Sequence, residues 1–176
     1  MQLVSKLHQQ NVNISKPEIV AVTGWTSGNL LNALNASPPK NNYSFVTLLI
    51  GVNNQYQGRS LDEYKVQFSE LLTRAISYAG NDTNHVFVLS IPDYSVTPFA
   101  QGYDTQKIAK EIDQFNYANK IIASDFGVRY VDVTPISREA KNDPSLIASD
   151  ELHPSGKQYL KWDELLAPLI VNEMKH

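Results

Sequence analysis

Three features of the sequence predict an α/β fold with three layers, α/β/α, around a mostly parallel sheet. Short apolar runs without polar alternation are typical of strands that are buried on both faces. Segments with the helical spacing of apolar residues alternate with these runs along the chain. Polar residues follow the carboxyl ends of the runs, where ligands of such sheets bind.

Four apolar runs are predicted to form strands. They cover residues 18–22, 44–50, 86–91 and 128–133. Pro92 ends the third run, because proline lacks the N–H group that a strand ladder needs. We therefore expect short, buried strands.

The intervening segments are predicted to be helices. They cover residues 3–10, 29–34, 61–79, 105–124 and 154–174. Ser60 is a suitable N-cap, and Glu63 three residues later completes a capping-box pattern. Pro154 suits the first position of the last helix, where its missing N–H costs nothing. This assignment places His153 at the helix entrance.

The composition is that of an ordinary globular protein. The 176 residues are most simply one domain spanning residues 1–176, with 42% apolar and 19% charged residues. With a net charge of −3, the chain lacks the excess of basic residues that would attract nucleic acid or an anionic membrane surface. No apolar run approaches the roughly 20 residues that a membrane span requires. We expect neither a nucleic-acid partner nor a transmembrane segment.

The chain contains no cysteine, which excludes a disulfide framework, a thiolate metal site and a cysteine nucleophile. The four histidines, His8, His85, His153 and His176, lack the spacing of metal ligands. A glycine-rich phosphate loop is also missing, so nucleotide binding is disfavoured. We expect no metal and no cofactor.

The segment GVNNQYQG, residues 51–58, follows the second apolar run directly. Glycine and asparagine tolerate the left-handed backbone, so the segment could be a simple turn. Alternatively, Asn53 is an amide donor directed at a negatively charged group. The segment alone leaves both interpretations open.

The segment SDELHPSG, residues 149–156, pairs an aspartate with a histidine three residues later. A tight turn could bring the carboxylate of Asp150 to Nδ1 of His153. The carboxylate would then fix the tautomer and leave Nε2 as a general base. A capping aspartate beside an exposed histidine is the structural alternative. Gly24, after the first run, either presents its N–H to an oxyanion or is a turn residue.

Taken together and in this order, these residues resemble the SGNH, or GDSL-type, hydrolase family. The family has a glycine after its second strand, Gly-x-Asn-Asp after its third and Asp-x-x-His-Pro before its last helix. The matching residues are Gly24, Gly51 to Asn54, and Asp150 to Pro154. Asn54 departs from the family's aspartate and is expected to hold the loop. The resemblance implies a flavodoxin-like sheet, with Gly24 and Asn53 as oxyanion-hole donors and with His153 and Asp150 as catalytic residues.

The family's nucleophile is a serine in a Gly-Asp-Ser block that closes the first strand, and this block is absent from the chain. Ser27 is not in a Gly-x-Ser-x-Gly elbow, and Ser155 points away from its neighbour His153. We therefore expect no substitute nucleophile. In the family's strand order 2-1-3-4-5, the missing first strand is central, which would leave two unpaired strand edges.

Three explanations of the missing strand stay open. The chain is an N-terminally truncated form of a longer protein, a second chain supplies the strand by exchange, or the neighbouring strands close on each other. The first is favoured. No signal peptide is visible, but a longer N-terminus could carry one, so the compartment, cytoplasmic or secreted/periplasmic, stays open.

The resemblance implies an ester hydrolase, of the lipase/acylhydrolase type, that acts on a small-molecule ester by a Ser-His-Asp mechanism. The chain itself, without the nucleophile, is expected to be inactive. The alternative is a non-catalytic ligand-binding module on the same fold. Three aromatic residues near strand ends, Trp25, Tyr56 and Tyr94, are candidate pocket residues, although packing under loops explains each of them as well.

Overall fold

The computed structural model describes residues 2–40 and 42–174, which form an α/β fold with a small sheet. The helices are α1 (Gln2–Gln9), α2 (Ser27–Ala36), α3 (Val52–Tyr56), α4 (Leu61–Tyr78), α5 (Thr105–Asp125), α6 (Thr134–Arg138) and α7 (Gly156–Glu173). The strands are β1 (Val46–Leu48), β2 (Val86–Leu89) and β3 (Arg129–Val131). Short 3-10 turns, including Tyr94–Val96, Pro98–Ala100 and Pro144–Leu146, lie in the connections. His176, one of the histidines considered as a metal ligand, lies outside the described residues.

The three strands form one sheet in the order β1-β2-β3. β1 and β2 run parallel, with Val46 opposite Val86 and Leu48 opposite Val88. Helix α4 makes the crossover between them, as parallel strands require. All four residues of β2 are buried, which is expected for a central strand that is covered on both faces.

The chain divides into two compact units. One unit contains Pro17–Ile91 and Gln114–Tyr130, and its core includes Phe68, Leu72 and Phe87, all fully buried. The other contains the described residues through Lys16, Pro92–Asp113 and the chain from Val131 onwards. In this second unit α1 packs against α7. Each unit therefore has its own buried apolar residues.

The predicted helices are confirmed, with one change at the start of α7. Ser60 caps α4 through its side-chain oxygen, which accepts a hydrogen bond from the N–H of Glu63. Helix α7 begins at Gly156 and not at Pro154, because Ser155 is its N-cap and accepts from the N–H of Gln158. Pro154 instead forms an antiparallel bridge with Ile147.

The predicted strand at residues 18–22 is wrong. Residues 12–22 contain no regular element, and the side chains of Ile19 and Val22 are 76% and 58% exposed. A run of apolar residues becomes a strand only when another strand pairs with it and a surface covers it. The described residues provide neither at this position. The other three predicted strands form, but each is shorter than its apolar run.

No helix among residues 2–40 and 42–174 has the length and apolarity needed to cross a bilayer.

A matched pair of valine substitutions tests the exposure of residues 18–22. Val22→Thr should change the free energy of unfolding by less than about 0.5 kcal/mol, because the side chain is mostly in solvent. Val88→Thr should cost about 1–3 kcal/mol, because it buries a hydroxyl in the centre of β2. Urea denaturation of both variants measures the difference. Equal costs would contradict the description of the 18–22 segment as unpaired.

Candidate active site

The end of β1 leads into a turn that requires glycine. Gly51 has φ +130° and is the N-cap of α3. A Cβ atom at Gly51 would lie 2.7 Å from Cδ1 of Ile91 and 2.7 Å from the hydroxyl oxygen of Tyr64. Both the backbone angle and the lack of space therefore exclude a side chain here.

The side chain of Tyr64 hydrogen-bonds to the backbone at the start of this turn. Its fully buried hydroxyl lies 2.8 Å from the carbonyl oxygen of Ile50 and 2.6 Å from Oδ1 of Asn119, and both oxygens can accept its proton. Burial raises the pKa of the Tyr64 hydroxyl well above its usual value, so the group stays a hydrogen-bond donor. The position of α3, which carries Asn53 and Asn54, therefore depends on a side chain of α4.

Asn54 holds the loop, as predicted. Its side chain is 1% exposed, its Oδ1 accepts from the N–H of Ser27 at 2.9 Å, and its Nδ2 donates to Oγ of Ser27 at 2.7 Å. Oγ of Ser27 in turn donates to Oε1 of Gln67 at 2.5 Å. Ser27 is fully buried and engaged at both polar groups. Its environment therefore agrees with the expectation that it is not a nucleophile.

The same region brings Asn53 to the segment that contains Gly24. Nδ2 of Asn53 donates to the carbonyl oxygen of Trp25 at 3.1 Å. Nε2 of Gln57 donates to the carbonyl oxygen of Gly24 at 3.3 Å. Gly24 has φ +85°, and a Cβ atom there would meet nothing within 4 Å. The two predicted oxyanion-hole residues thus lie on adjoining segments of one unit.

Asp150 and His153 form a hydrogen-bonded pair in the other unit. Oδ2 of Asp150 lies 2.6 Å from Nδ1 of His153, and both side chains are about half exposed. Oδ1 of Asp150 accepts from the backbone N–H groups of Leu152 at 3.1 Å and His153 at 2.9 Å. A proton on Nδ1 leaves the Nε2 lone pair of the neutral ring available as a base.

These contacts stabilise the ionised form of Asp150. The backbone N–H of His153, its imidazole and the N–H of Leu152 lower the pKa of the Asp150 carboxyl from 3.8 to about 2. Asp150 is therefore an anion at neutral pH. The turn that creates the pair contains Glu151 in the left-handed conformation, with φ +64°.

The three aromatic residues predicted to line a pocket are divided between the two units. Trp25 is half-buried and Tyr56 is 49% exposed in the unit of Asn53, whereas Tyr94 is 8% exposed in the unit of His153. Oγ of Ser155 donates to the carbonyl oxygen of Ser145 and caps α7. Ser155, which was expected not to replace the nucleophile, thus has its hydroxyl engaged in capping α7.

Two residues that hold the candidate side chains in place, Tyr64 and Glu151, were not predicted from the sequence. Tyr64 gave no signal, because an aromatic residue on a helix is most often ordinary core. The left-handed Glu151 also gave none, since glutamate has no preference for that conformation. Only Gly51 had a visible signal, as a glycine at the end of an apolar run.

Residues 2–161 match the GDSL-like lipase/acylhydrolase family, and the chain belongs to this family. No curated protein sequence matches the chain.

Two solved esterases show the same fold. An acetylxylan esterase from Geobacillus stearothermophilus, Axe2, is 21% identical, with 87% of this chain and 69% of that chain covered and a TM-score of 0.56. The psychrotrophic esterase EstA from a Pseudoalteromonas species, inhibited by monoethylphosphonate, is 18% identical, with 99% and 86% covered and a TM-score of 0.64. A catalytic mutant of Axe2 with a serine replaced by alanine also matches, at 21% identity, with 86% and 68% covered and a TM-score of 0.56.

Gly51→Ala should destabilise the protein by about 2–5 kcal/mol, because it adds backbone strain to a steric overlap with Tyr64 and Ile91. Gly58→Ala is the matched control. Its φ is +65° and its Cβ would meet nothing within 4 Å, so a cost of about 1 kcal/mol is expected. Chemical denaturation compares the two variants. Similar costs would contradict the steric argument.

The lowered pKa of Asp150 predicts a contribution to stability that is present near neutral pH and is lost in acid. Because its folded value of about 2 lies below the ordinary 3.8, the contribution is present above about pH 4 and is lost as the pH falls through 2. Asp150→Asn should therefore lose less stability than the wild type between pH 5 and pH 2. Unfolding curves at several pH values measure this. Asp125→Asn, at an exposed position at the end of α5, is the charge-matched control.

Proposed function

We propose that this chain is the major part of a serine ester hydrolase in which His153 is the general base and Asp150 orients it. The hydrogen bond of 2.6 Å between Nδ1 of His153 and Oδ2 of Asp150 is the observation that carries the proposal. Membership in the GDSL-like lipase/acylhydrolase family supports the reaction class.

In this mechanism Nε2 of His153 takes the proton of a serine hydroxyl as the serine attacks the ester carbonyl. The imidazolium that forms is stabilised by the Asp150 carboxylate, which stays ionised. His153 then gives its proton to the departing alcohol. In the second half-reaction His153 activates a water molecule, which hydrolyses the acyl-enzyme and releases the acid.

We assign the stabilisation of the oxyanion to Asn53 and to the N–H of Gly24. The Asn53 amide carries two N–H hydrogens, and the bond to the carbonyl oxygen of Trp25 engages one of them. That bond fixes the plane of the amide before the substrate binds. Preorganised donors of this kind typically contribute about 3–4 kcal/mol each to lowering the barrier.

The nucleophile in this proposal is a serine of a Gly-Asp-Ser strand that the 176 residues do not contain. Ser27 is fully buried, and Ser155 is the cap of α7, so neither is a suitable substitute. The serine-to-alanine catalytic mutant of Axe2 supports a serine mechanism for that relative. Neither the described residues nor the comparisons support exchange of a strand with a second chain.

For the substrate, we propose a small acyl ester. The relative Axe2 acts on acetylated xylan, which makes an acetyl ester a reasonable first substrate to test. Tyr56, which is 49% exposed, and Trp25 are suitable to contact the acyl or alcohol portion. Tyr94 is proposed as a pocket residue as well.

A fluorophosphonate probe tests this proposal by covalent labelling, read by intact mass and peptide mapping. The 176-residue chain should not label. The same chain extended before Gln2 by an apolar strand ending in Gly-Asp-Ser should label at that serine and hydrolyse p-nitrophenyl acetate. An extension ending in Gly-Asp-Ala is the matched control for the added strand.

The histidine is tested in the extended protein. His153→Ala should abolish labelling, because the serine then lacks its base, whereas His85→Ala should label normally. Labelling of the unextended chain at any serine would contradict the proposed absence of the nucleophile. If neither protein labels, the non-catalytic binding module becomes the better explanation.

A further inference from the structure

The loop that carries Asp150 and His153 has a firmly closed base. Ile147 and Pro154 form an antiparallel bridge, and the N–H of Ala148 donates to the carbonyl oxygen of His153 at 2.8 Å. The N–H of Ser155 donates to the carbonyl oxygen of Leu146 at 2.8 Å. The backbone at His153 is therefore held by the loop itself.

The tip of the loop, residues 149–151, is held differently. Glu151 adopts the left-handed conformation, which is strained for a non-glycine residue. Its N–H donates to the carbonyl oxygen of Ala148 at 3.0 Å, within the loop. Its carbonyl oxygen accepts from the N–H of Phe99 at 3.1 Å, and Phe99 belongs to a different segment of the same unit. The contact with Phe99 thus ties the tip of the loop to the fold.

Phe99 lies in a short segment whose aromatic side chains contact one another. It lies in the 3-10 turn Pro98–Ala100, and its ring stacks on that of Tyr103 with centroids 5.8 Å apart. The ring of Tyr94 lies 6.4 Å from it. These ring contacts lie within the segment itself, and the N–H of Phe99 is presented by the backbone of the 3-10 turn.

An ion pair between a buried carboxylate and a partly exposed arginine anchors the start of the same segment. The carboxylate of Asp93 is 1% exposed, and it accepts from Nε of Arg138 at 2.8 Å and from the N–H of Ser95 at 2.9 Å. The N–H of Asp93 donates to Oγ of Ser137 at 2.8 Å. Because a buried charge without its partner is costly, this end of the segment is held in one position.

We infer that the backbone N–H of Phe99 is a positioning group for the Asp150–His153 pair. It holds the carbonyl of Glu151, which keeps Glu151 left-handed and turns the Asp150 carboxylate back towards the imidazole. The catalytic meaning of this inference rests on the proposed function. The geometric coupling between Phe99 and Asp150 does not rest on the proposed function, and it is tested without any esterase assay.

Replacement of the Phe99 amide by an ester tests the coupling directly. Phenyllactic acid at position 99, introduced by nonsense suppression, removes the N–H and keeps the ring. The pKa of the Asp150 carboxyl, measured by carbon-13 NMR on aspartate-labelled protein, should rise from about 2 towards 3.8. Asp143, whose pKa is lowered to about 2 by Lys157 and Ser145, is the internal control and should not move. Phe99→Ala removes the ring but keeps the N–H and should leave Asp150 near 2.

A matched pair of substitutions tests the coupling from the side of Glu151. Glu151→Val and Glu151→Asn remove the same charge, but asparagine tolerates the left-handed conformation and a β-branched residue does not. We expect Glu151→Val to raise the pKa of Asp150 and Glu151→Asn to leave it low.

Three outcomes would overturn the inference. An unchanged Asp150 titration in the folded ester variant would mean that the loop keeps its geometry without Phe99. Loss of the far-UV circular dichroism of the whole protein would mean that the contact supports the unit as a whole and not the loop. Equal behaviour of the two Glu151 variants would contradict the role of the left-handed turn.

Discussion

Backbone groups at the buried ends of strands must find hydrogen-bond partners, and this constraint organises the polar segments of the protein. After β1, the Tyr64 hydroxyl supplies the partner for the carbonyl of Ile50. After β2, the side-chain amide of Asn116 accepts from the N–H of Ile91 at 2.7 Å and donates to its carbonyl at 3.0 Å. These partners come from α4 and α5, so the helices that cover the sheet also determine where its loops begin.

The candidate catalytic residues follow from two kinds of local geometry. Asn53 is presented by a short helix whose start depends on Gly51 and whose packing depends on Asn54 beneath it. Asp150 and His153 are presented by a narrow loop in which a single carboxylate accepts three hydrogen bonds. Asn54 has a structural role through its hydrogen bonds to Ser27, and its neighbour Asn53 is the proposed oxyanion donor.

Family membership explains why these polar segments occur in this order, but the run at residues 18–22 needs its own explanation. It is apolar, yet Ile19 and Val22 are mostly exposed. An exposed apolar segment commonly marks a surface that something else covers. In the proposed enzyme, the strand that carries the nucleophile is the natural candidate, because its backbone could pair with this run.

Features that depend on neighbours in the chain could be predicted from the amino-acid sequence alone. Helical spacing predicted α4 and α5, and the interval of three residues between Asp150 and His153 predicted their pairing, because the interactions are local. Other features depend on contacts between segments that are distant in sequence. Whether residues 18–22 form a strand depends on a partner distant in sequence, and the left-handed turn at Glu151 depends on Phe99. The contact of Tyr64 with the Gly51 turn is equally non-local. Strand pairing and backbone strain are settled by contacts between distant segments, and no local pattern specifies those contacts.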